Sequence, residues 1–301
     1  MSVLRVDTRR GSAFVRTETW PCATSAPSRF LLIHGNPASL GHWHRIAPRL
    51  AAFGDVAALD LPGFGLSPTP SNGAEGLSLE SLAEVSVATA DALQWKEPFY
   101  ILGHSHGGGV AQIAAARYPG RIAGIVPMGT LGYPAHTSYR LLALPGATSV
   151  VTLAGAVFRS RKADSLTRNL LDFGSRAIFA PESASPDWIA HEQALLAERP
   201  EILRNMVALS LGRPSEFLYR SAPDIRCPVL FLHGDKDALT PPAGARSLHE
   251  RILASGGKSE FVLLPNAGHM LPEFQASEVI ERVVAWVRRV SMSLEHELPS
   301  A

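Results

Sequence analysis

Ser105 lies in Gly103-His104-Ser105-His106-Gly107, with glycine two residues away on each side. The apolar run Phe99-Tyr100-Ile101-Leu102 precedes it, and Gly108 to Ala116 reads as a helix behind it. A strand that turns sharply into a helix through one serine is a nucleophile elbow. The serine backbone is strained there, and only small flanking residues let strand and helix come so close. A lone Gly-x-Ser-x-Gly also arises by chance, and Ser/Gly clusters mark ordinary turns. Partner residues must therefore decide.

A serine hydroxyl is a weak nucleophile until a base lies within hydrogen-bond reach and a third group orients that base. With an elbow serine the chain order is Ser, acid, His. His269 follows the strand-like Glu260 to Leu264, in the loop Pro265-Asn266-Ala267-Gly268-His269. Such a loop suits an imidazole that must reach another strand's tip. The acid is Asp235 or Asp237, both beyond the apolar Val229 to Leu232. Reach favours Asp237, because the loop needs length to meet a histidine from the next one. Asp235, directly after Gly234, can instead bond loop backbone or pair with Lys236. The tip one strand earlier reads Met128-Gly129-Thr130-Leu131 and offers no carboxylate.

The oxyanion of an acyl-transfer intermediate needs preorganised donors. One is the backbone N–H of His106 at the helix start. The other comes from His34-Gly35-Asn36-Pro37, after the apolar Phe30 to Ile33. Gly35 allows close approach, and Pro37 has no N–H, so Asn36 is the donor. The plainer reading of that loop is a turn built by Gly and Asn-Pro.

These residues need elements to hold them. Val3 to Asp7 and Ala13 to Trp20 flank Arg9-Arg10-Gly11-Ser12 as a hairpin. Phe30 to Ile33, Val56 to Leu59, the run before Ser105 and Ile122 to Met128 are continuously apolar, as in strands buried on both faces of a parallel sheet. Trp43 to Phe53 and Leu77 to Trp95 read as helices, the second with Ser78 as N-cap. Strand and helix thus alternate through residue 128. Residues 130 to about 222 contain helical segments, Ser165 to Phe173 and Asp187 to Glu198 among them, but no convincing buried strand. Alternation returns at Val229 to Leu232, followed by helices near Ala243 to Ser255 and Ala276 to Val290. The tail Ser291 to Ala301 is polar and reads as frayed. The expected fold class is α/β, a mostly parallel sheet flanked by helices and interrupted by a helical insertion. Ligands bind at the carboxyl ends of such strands, so an insertion leaving from one of those ends can cover the site. Its apolar side chains Leu141, Leu142, Phe158, Phe173, Phe179 and Trp188 are candidates for the pocket wall. Trp43 is read as either pocket or core.

Of 301 residues, 46% are hydrophobic and 18% charged, enough for a substantial core. The net charge of +1 advertises no nucleic acid. Cys22 and Cys227 form neither a disulfide framework nor a metal spacing, which suggests a reducing compartment. The N-terminus has no apolar signal region, so the expected location is cytoplasmic. Leu141 to Phe158 carries no charge, but Pro145, Gly146 and Gly155 interrupt it, and it is too short for comfortable transmembrane insertion. Arg159-Ser160-Arg161-Lys162 reads as a solvated face, with contact to an anionic substrate as the alternative. His42-x-His44 and His104-x-His106 lack a third ligand set, so no metal is expected.

The chain resembles the α/β-hydrolase fold family with cap domains. The resemblance rests on His34-Gly35-Asn36-Pro37, Asp60-Leu61-Pro62-Gly63-Phe64-Gly65, Gly103-His104-Ser105-His106-Gly107-Gly108, His233-Gly234-Asp235-Lys236-Asp237 and Gly268-His269, in that order. It covers residues 3–129 and 223–290. It implies a core of residues 1–129 and 223–301, a cap of residues 130–222, and Asp237 as the acid. His-Gly-Asn-Pro resembles the loop of haloalkane dehalogenases, but those enzymes and epoxide hydrolases use an aspartate nucleophile where this chain has Ser105. The Gly-rich oxyanion loops of prolyl iminopeptidases and ring-cleavage C–C hydrolases are absent. Carboxylesterases, lactonases, thioesterases and haloperoxidase-like esterases remain. The expectation is a serine hydrolase of carboxylic esters or related acyl compounds, working on a small molecule through an acyl-enzyme and without a cofactor. Lactone or C–C hydrolysis with the same triad is the alternative, and a non-catalytic ligand receptor is the alternative from another class. Nothing in the chain speaks to oligomeric state.

Overall fold

The computed structural model describes residues 1–23, 28–135, 140, 144, 146–158, 164–211 and 213–297. Leu141, Leu142 and the basic stretch 159–162 lie outside the described residues. Eight strands form one sheet in the order β1-β2-β4-β3-β5-β6-β7-β8. They are β1 (Ser2–Thr8), β2 (Gly11–Trp20), β3 (Arg29–Ile33), β4 (Asp55–Leu59), β5 (Phe99–His104), β6 (Ile122–Met128), β7 (Val229–Gly234) and β8 (Ser259–Leu264). β3 to β8 run parallel, and β2 pairs antiparallel with both β1 and β4.

Residue type explains each kind of strand. β5 and β7 are buried at every position, as their unbroken apolar runs require. Successive residues of the parallel strands feed opposite cores. Leu31, Ile33, Ala57, Leu59, Ile101 and Phe231 belong to one cluster. Phe30, Leu32, Val56, Ala58, Leu102 and Leu232 belong to the other. That is the period-two alternation of a pleated strand. The hairpin strands β1 and β2 bury far fewer positions and are tied by a two-residue turn, with Thr8 opposite Gly11.

The helices are α1 (Ala47–Leu50), α2 (Leu79–Ala92), α3 (His106–Arg117), α4 (Ala147–Phe158), α5 (Asp164–Phe179), α6 (Pro186–Glu198), α7 (Glu201–Leu211), α8 (Pro214–Ser221), α9 (Pro242–Ala254), α10 (Leu271–Phe274) and α11 (Ala276–Glu297). Ser78 caps α2 by accepting from the Ser81 N–H. Two expectations need correction. The segment from Trp43 to Phe53 is not one helix but a 3₁₀ turn, Leu40–Trp43, followed by the single turn α1. Pro48 has no N–H to donate and is tolerated only in a helix's first turn, so the helix restarts there. The polar tail is not frayed from Ser291 onward, since α11 runs to Glu297. No glycine or proline interrupts it before Pro299.

Helices α4 to α8 lie between β6 and β7, and among the described residues this insertion holds no strand. Its inner side is tied to loops at the carboxyl ends of the strands. Arg199 donates to the carbonyls of Gly65 and Ser67 at 2.6 and 3.0 Å, and Asn205 Nδ2 donates to Gly63 O at 2.8 Å.

Candidate active site

Chain direction across the sheet reverses between β3 and β5. β3 connects to β4 on one side, and β5 then adds on β3's other side. Such a switch point leaves a crevice beyond the strand ends. The loop after β3 and Ser105 after β5 stand on its two sides.

Ser105 caps α3 with φ 53° and ψ −117°, a conformation that side-chain-bearing residues rarely adopt. The neighbouring glycines make it possible. A Cβ on Gly103 would lie 2.2 Å from Gly107 O, and one on Gly107 would lie 2.3 Å from Ile33 O. The backbone N–H of Ser105 donates to Met128 O at 2.8 Å, which anchors the elbow to β6. Its hydroxyl makes no hydrogen bond among the described residues.

Asp237 and His269 are brought together. His269 Nδ1 lies 2.8 Å from Asp237 Oδ2, and both side chains are buried. The Asp237 carboxylate also accepts from the N–H groups of Leu239 and Thr240 at 3.0 and 2.8 Å. Thr240 Oγ1 lies 2.9 Å from its Oδ2, and His233 Nε2 lies 3.3 Å from the same oxygen. Burial alone pushes this carboxyl's pKa up. The adjacent His269, together with hydrogen bonds from His233 and His269, outweighs burial and holds the pKa well below the ordinary carboxylate range. Asp235 is exposed instead, and its carboxylate accepts from the Ala267 N–H at 3.3 Å.

His269 arrives from β8, three strands from β5, roughly 14 Å at ordinary strand spacing. Gly129, at the tip of the intervening β6, leaves room for the crossing. A Cβ there would sit 3.3 Å from both Asp237 Oδ2 and His269 Nδ1.

Gly35 brings the loop after β3 against the elbow, where its Cβ would lie 3.0 Å from Ser105 Cβ. The N–H groups of Asn36 and His106 have no partner among the described residues. Asn36 Nδ2 donates to Met206 O on α7 at 3.3 Å, linking this loop to the insertion. The His106 ring is fully buried, neither nitrogen has a partner, and burial lowers its pKa to about 3.

The candidate pocket residues separate. Phe179 is buried, its ring 4.8 Å from Trp188 and 5.9 Å from Phe274, just beyond His269. Phe158 is buried in the core cluster that includes Leu196, Ile202 and Leu209. Two assignments are corrected. Trp43 is fully buried with Leu40, Ile46 and Leu50 and packs as core. Phe173 is 73% exposed. The buried positions of α5 are Thr167, Ser175 and Phe179, four or eight residues apart, and Phe173 falls on the opposite face. Two surface cavities, about 480 Å³ beside His44 and Glu273 and about 260 Å³ beside Trp286, include none of Ser105, Asp237 or His269.

Sequence reasoning missed Thr240, His233 and Gly129. His233-Gly234-Asp235-Lys236-Asp237 places His233 four residues before the acid, but only the curl of the loop brings their side chains together. Among the described residues no group of three or more His, Cys, Asp or Glu side chains could hold a metal ion. No helix among them is long and apolar enough to cross a membrane.

An elbow serine at the switch point of a mostly parallel sheet, with a buried Asp–His pair from the loops after β7 and β8, is an α/β-hydrolase arrangement. The sequence model of the alpha/beta hydrolase fold matches residues 29–276, and the chain belongs to this family. It is 28% identical over 288 residues to a monoacylglycerol lipase of Mycolicibacterium smegmatis, covering 92% of this chain and 94% of the lipase. It is 31% identical over 241 residues to a pimeloyl-[acyl-carrier protein] methyl ester esterase of Aeromonas hydrophila, covering 79% of this chain and 87% of the esterase. A thermophilic esterase from Thermogutta terrifontis shares the fold, with a TM-score of 0.72 at 22% identity over 96% of this chain and 99% of that one.

Proposed function

We propose that this protein is a serine hydrolase that cleaves a carboxylic ester through an acyl-enzyme on Ser105. The observation that carries the reading is the buried Asp237–His269 hydrogen bond, linked through His104 to the adjoining serine held at positive φ. With its Nδ1 proton directed at Asp237, His269 leaves Nε2 free as a base. Ser105 Oγ attacks the ester carbonyl while its proton passes to Nε2. The backbone N–H groups of Asn36 and His106 receive the developing oxyanion. The proton then goes to the departing alcohol. Water, deprotonated by the same nitrogen, attacks the acyl carbon and restores Ser105. Asp237 holds the tautomer and stabilises the imidazolium throughout. The open Ser105 hydroxyl fits this cycle, because catalytic hydrogen bonds in free enzymes often close only with substrate in place.

The relatives named as a lipase and a methyl ester esterase support ester chemistry. The insertion acts as the cap, and Phe179 and Trp188 supply an apolar contact for the acyl or alcohol part. The test is labelling with a fluorophosphonate, followed by a panel of neutral esters, lactones and diketones. Wild type labels and turns over esters, and Ser105→Ala does neither. Failure of wild type to label at any pH tried overturns the activated serine. Turnover of lactones or diketones without esters overturns the ester assignment.

A further inference from the structure

Asp237 and His269 are joined by a direct hydrogen bond, whereas Ser105 has no hydrogen bond to either. What ties the serine to the base is the residue before it. His104 closes β5 and is almost wholly buried. Its Nε2 lies 2.9 Å from the backbone carbonyl of His269, so this nitrogen carries the proton and donates it. Its ring centroid lies 4.7 Å from that of His269 and 4.7 Å from that of His42. The remaining nitrogen, Nδ1, has no partner, and the Gly35 backbone packs close to it. One hydrogen bond therefore fixes the tautomer of a ring that packs against two others. Burial, reinforced by the neighbouring His269 and His42, keeps the imidazole neutral.

We infer that His104 is a positioning residue, whose Nε2–H bond to the His269 carbonyl sets the distance and angle between the base and the Ser105 hydroxyl. The inference rests on the serine hydrolase reading. His104 touches no substrate in this scheme. It acts on the His269 backbone, where a shift of about 1 Å at the reacting atoms can cost on the order of 100-fold in rate. No sequence pattern announces the role, because the bond joins residues 104 and 269 across the sheet.

The test compares three variants. Gln places an amide N–H as many bonds from Cβ as Nε2 is, Asn places one where Nδ1 is, and Phe keeps the ring without a donor. Fluorophosphonate labelling rates and ester kinetics are measured on each, with a thermal melt to confirm folding. His104→Phe is expected to lower kcat and the labelling rate roughly 10- to 100-fold with little change in KM. His104→Gln is expected to regain most of that loss, and His104→Asn is not. Labelling of His104→Phe at the wild-type rate overturns the inference. So does a Gln variant no faster than the Asn variant, a comparison that still decides should the Phe variant not fold. An inert wild type instead condemns the hydrolase reading, so the two failures are distinguishable.

Discussion

Asp237 shows how a carboxylate can stay ionised in a protein interior. Two backbone N–H groups, the Thr240 hydroxyl and two imidazoles surround it, and the imidazoles of His269 and His233 outweigh the burial that alone would keep it protonated. The N–H groups come from the loop's own residues Leu239 and Thr240, so the turn after β7 supplies part of the anion site by itself. Asp237→Asn keeps the shape but turns an N–H toward His269 Nδ1, which shifts the ring proton to Nε2. The variant should fold normally and lose roughly 10⁴-fold in kcat, the order found for such an exchange in another serine hydrolase. Ester turnover beside a circular dichroism melt would show both; a loss under tenfold would mean that Asp237 does not orient the base. At this scale the residue types and their order were legible. The choice between Asp235 and Asp237 leaned on reach and resemblance until the geometry put Asp237 on His269. Thr240 was not legible, because a threonine directly after Ala238-Leu239 looks like any other loop threonine.

Elements decide which face a side chain serves. On α5, Phe179 points inward and Phe173 outward, although both are phenylalanines on one helix of an apolar insertion. Composition draws them alike, and only the helical phase, set by Thr167 and Ser175, separates them. The next helix carries the converse case. Glu192 lies on the buried face of α6 with Ile189 and Leu196, and it has no hydrogen-bond or ion-pair partner among the described residues. Burial raises its pKa from 4.5 to about 7. An acid with a raised folded pKa costs stability wherever the unfolded chain has already released its proton. Below about pH 4.5 both states hold the proton and nothing is lost; the cost then grows with pH and is complete above about pH 7. Its size is on the order of 3 kcal/mol. Glu192→Gln should remove this decline, so denaturant melts from pH 5 to 8 should diverge from wild type as pH rises. Parallel curves would show that Glu192 is solvated in the folded protein. Elsewhere the strands were the most legible elements, because unbroken apolar runs survive any tertiary context. The segment after Trp43 was misjudged because its helical pattern hides Pro48, whose missing N–H outranks the pattern.

Across the whole molecule, Phe158, Leu196, Ile202 and Leu209 of the insertion share one apolar cluster with the sheet, and a few polar points tie the two together further. Arg199 and Asn205 clasp the carbonyls of residues 63, 65 and 67, and Asn36 reaches Met206 from the loop after β3. Each is worth about 0.5–1.5 kcal/mol, or about 1.5–3 kcal/mol where the charged Arg199 takes part. Replacing both Arg199 and Asn205 with alanine should let the insertion open without unfolding the sheet. Amide hydrogen exchange should quicken by roughly 100-fold in α4 to α8 and stay unchanged in β3 to β7. Equal acceleration everywhere would show that the two parts unfold as one. By itself the sequence determined the alternating strands and helices and the place where a helical insertion interrupts them, and it offered Ser105, Asp237 and His269 as candidates for the chemistry. Those properties are local, written in hydrophobic period, small-residue spacing and turn chemistry. Tertiary structure alone decided how those residues meet. Gly129 makes room at the tip of β6, Thr240 and His233 complete the carboxylate's partners, Phe173 turns away, and His104 bridges the elbow to the His269 loop. Each depends on strands far apart in the chain lying side by side, a proximity that no local pattern encodes.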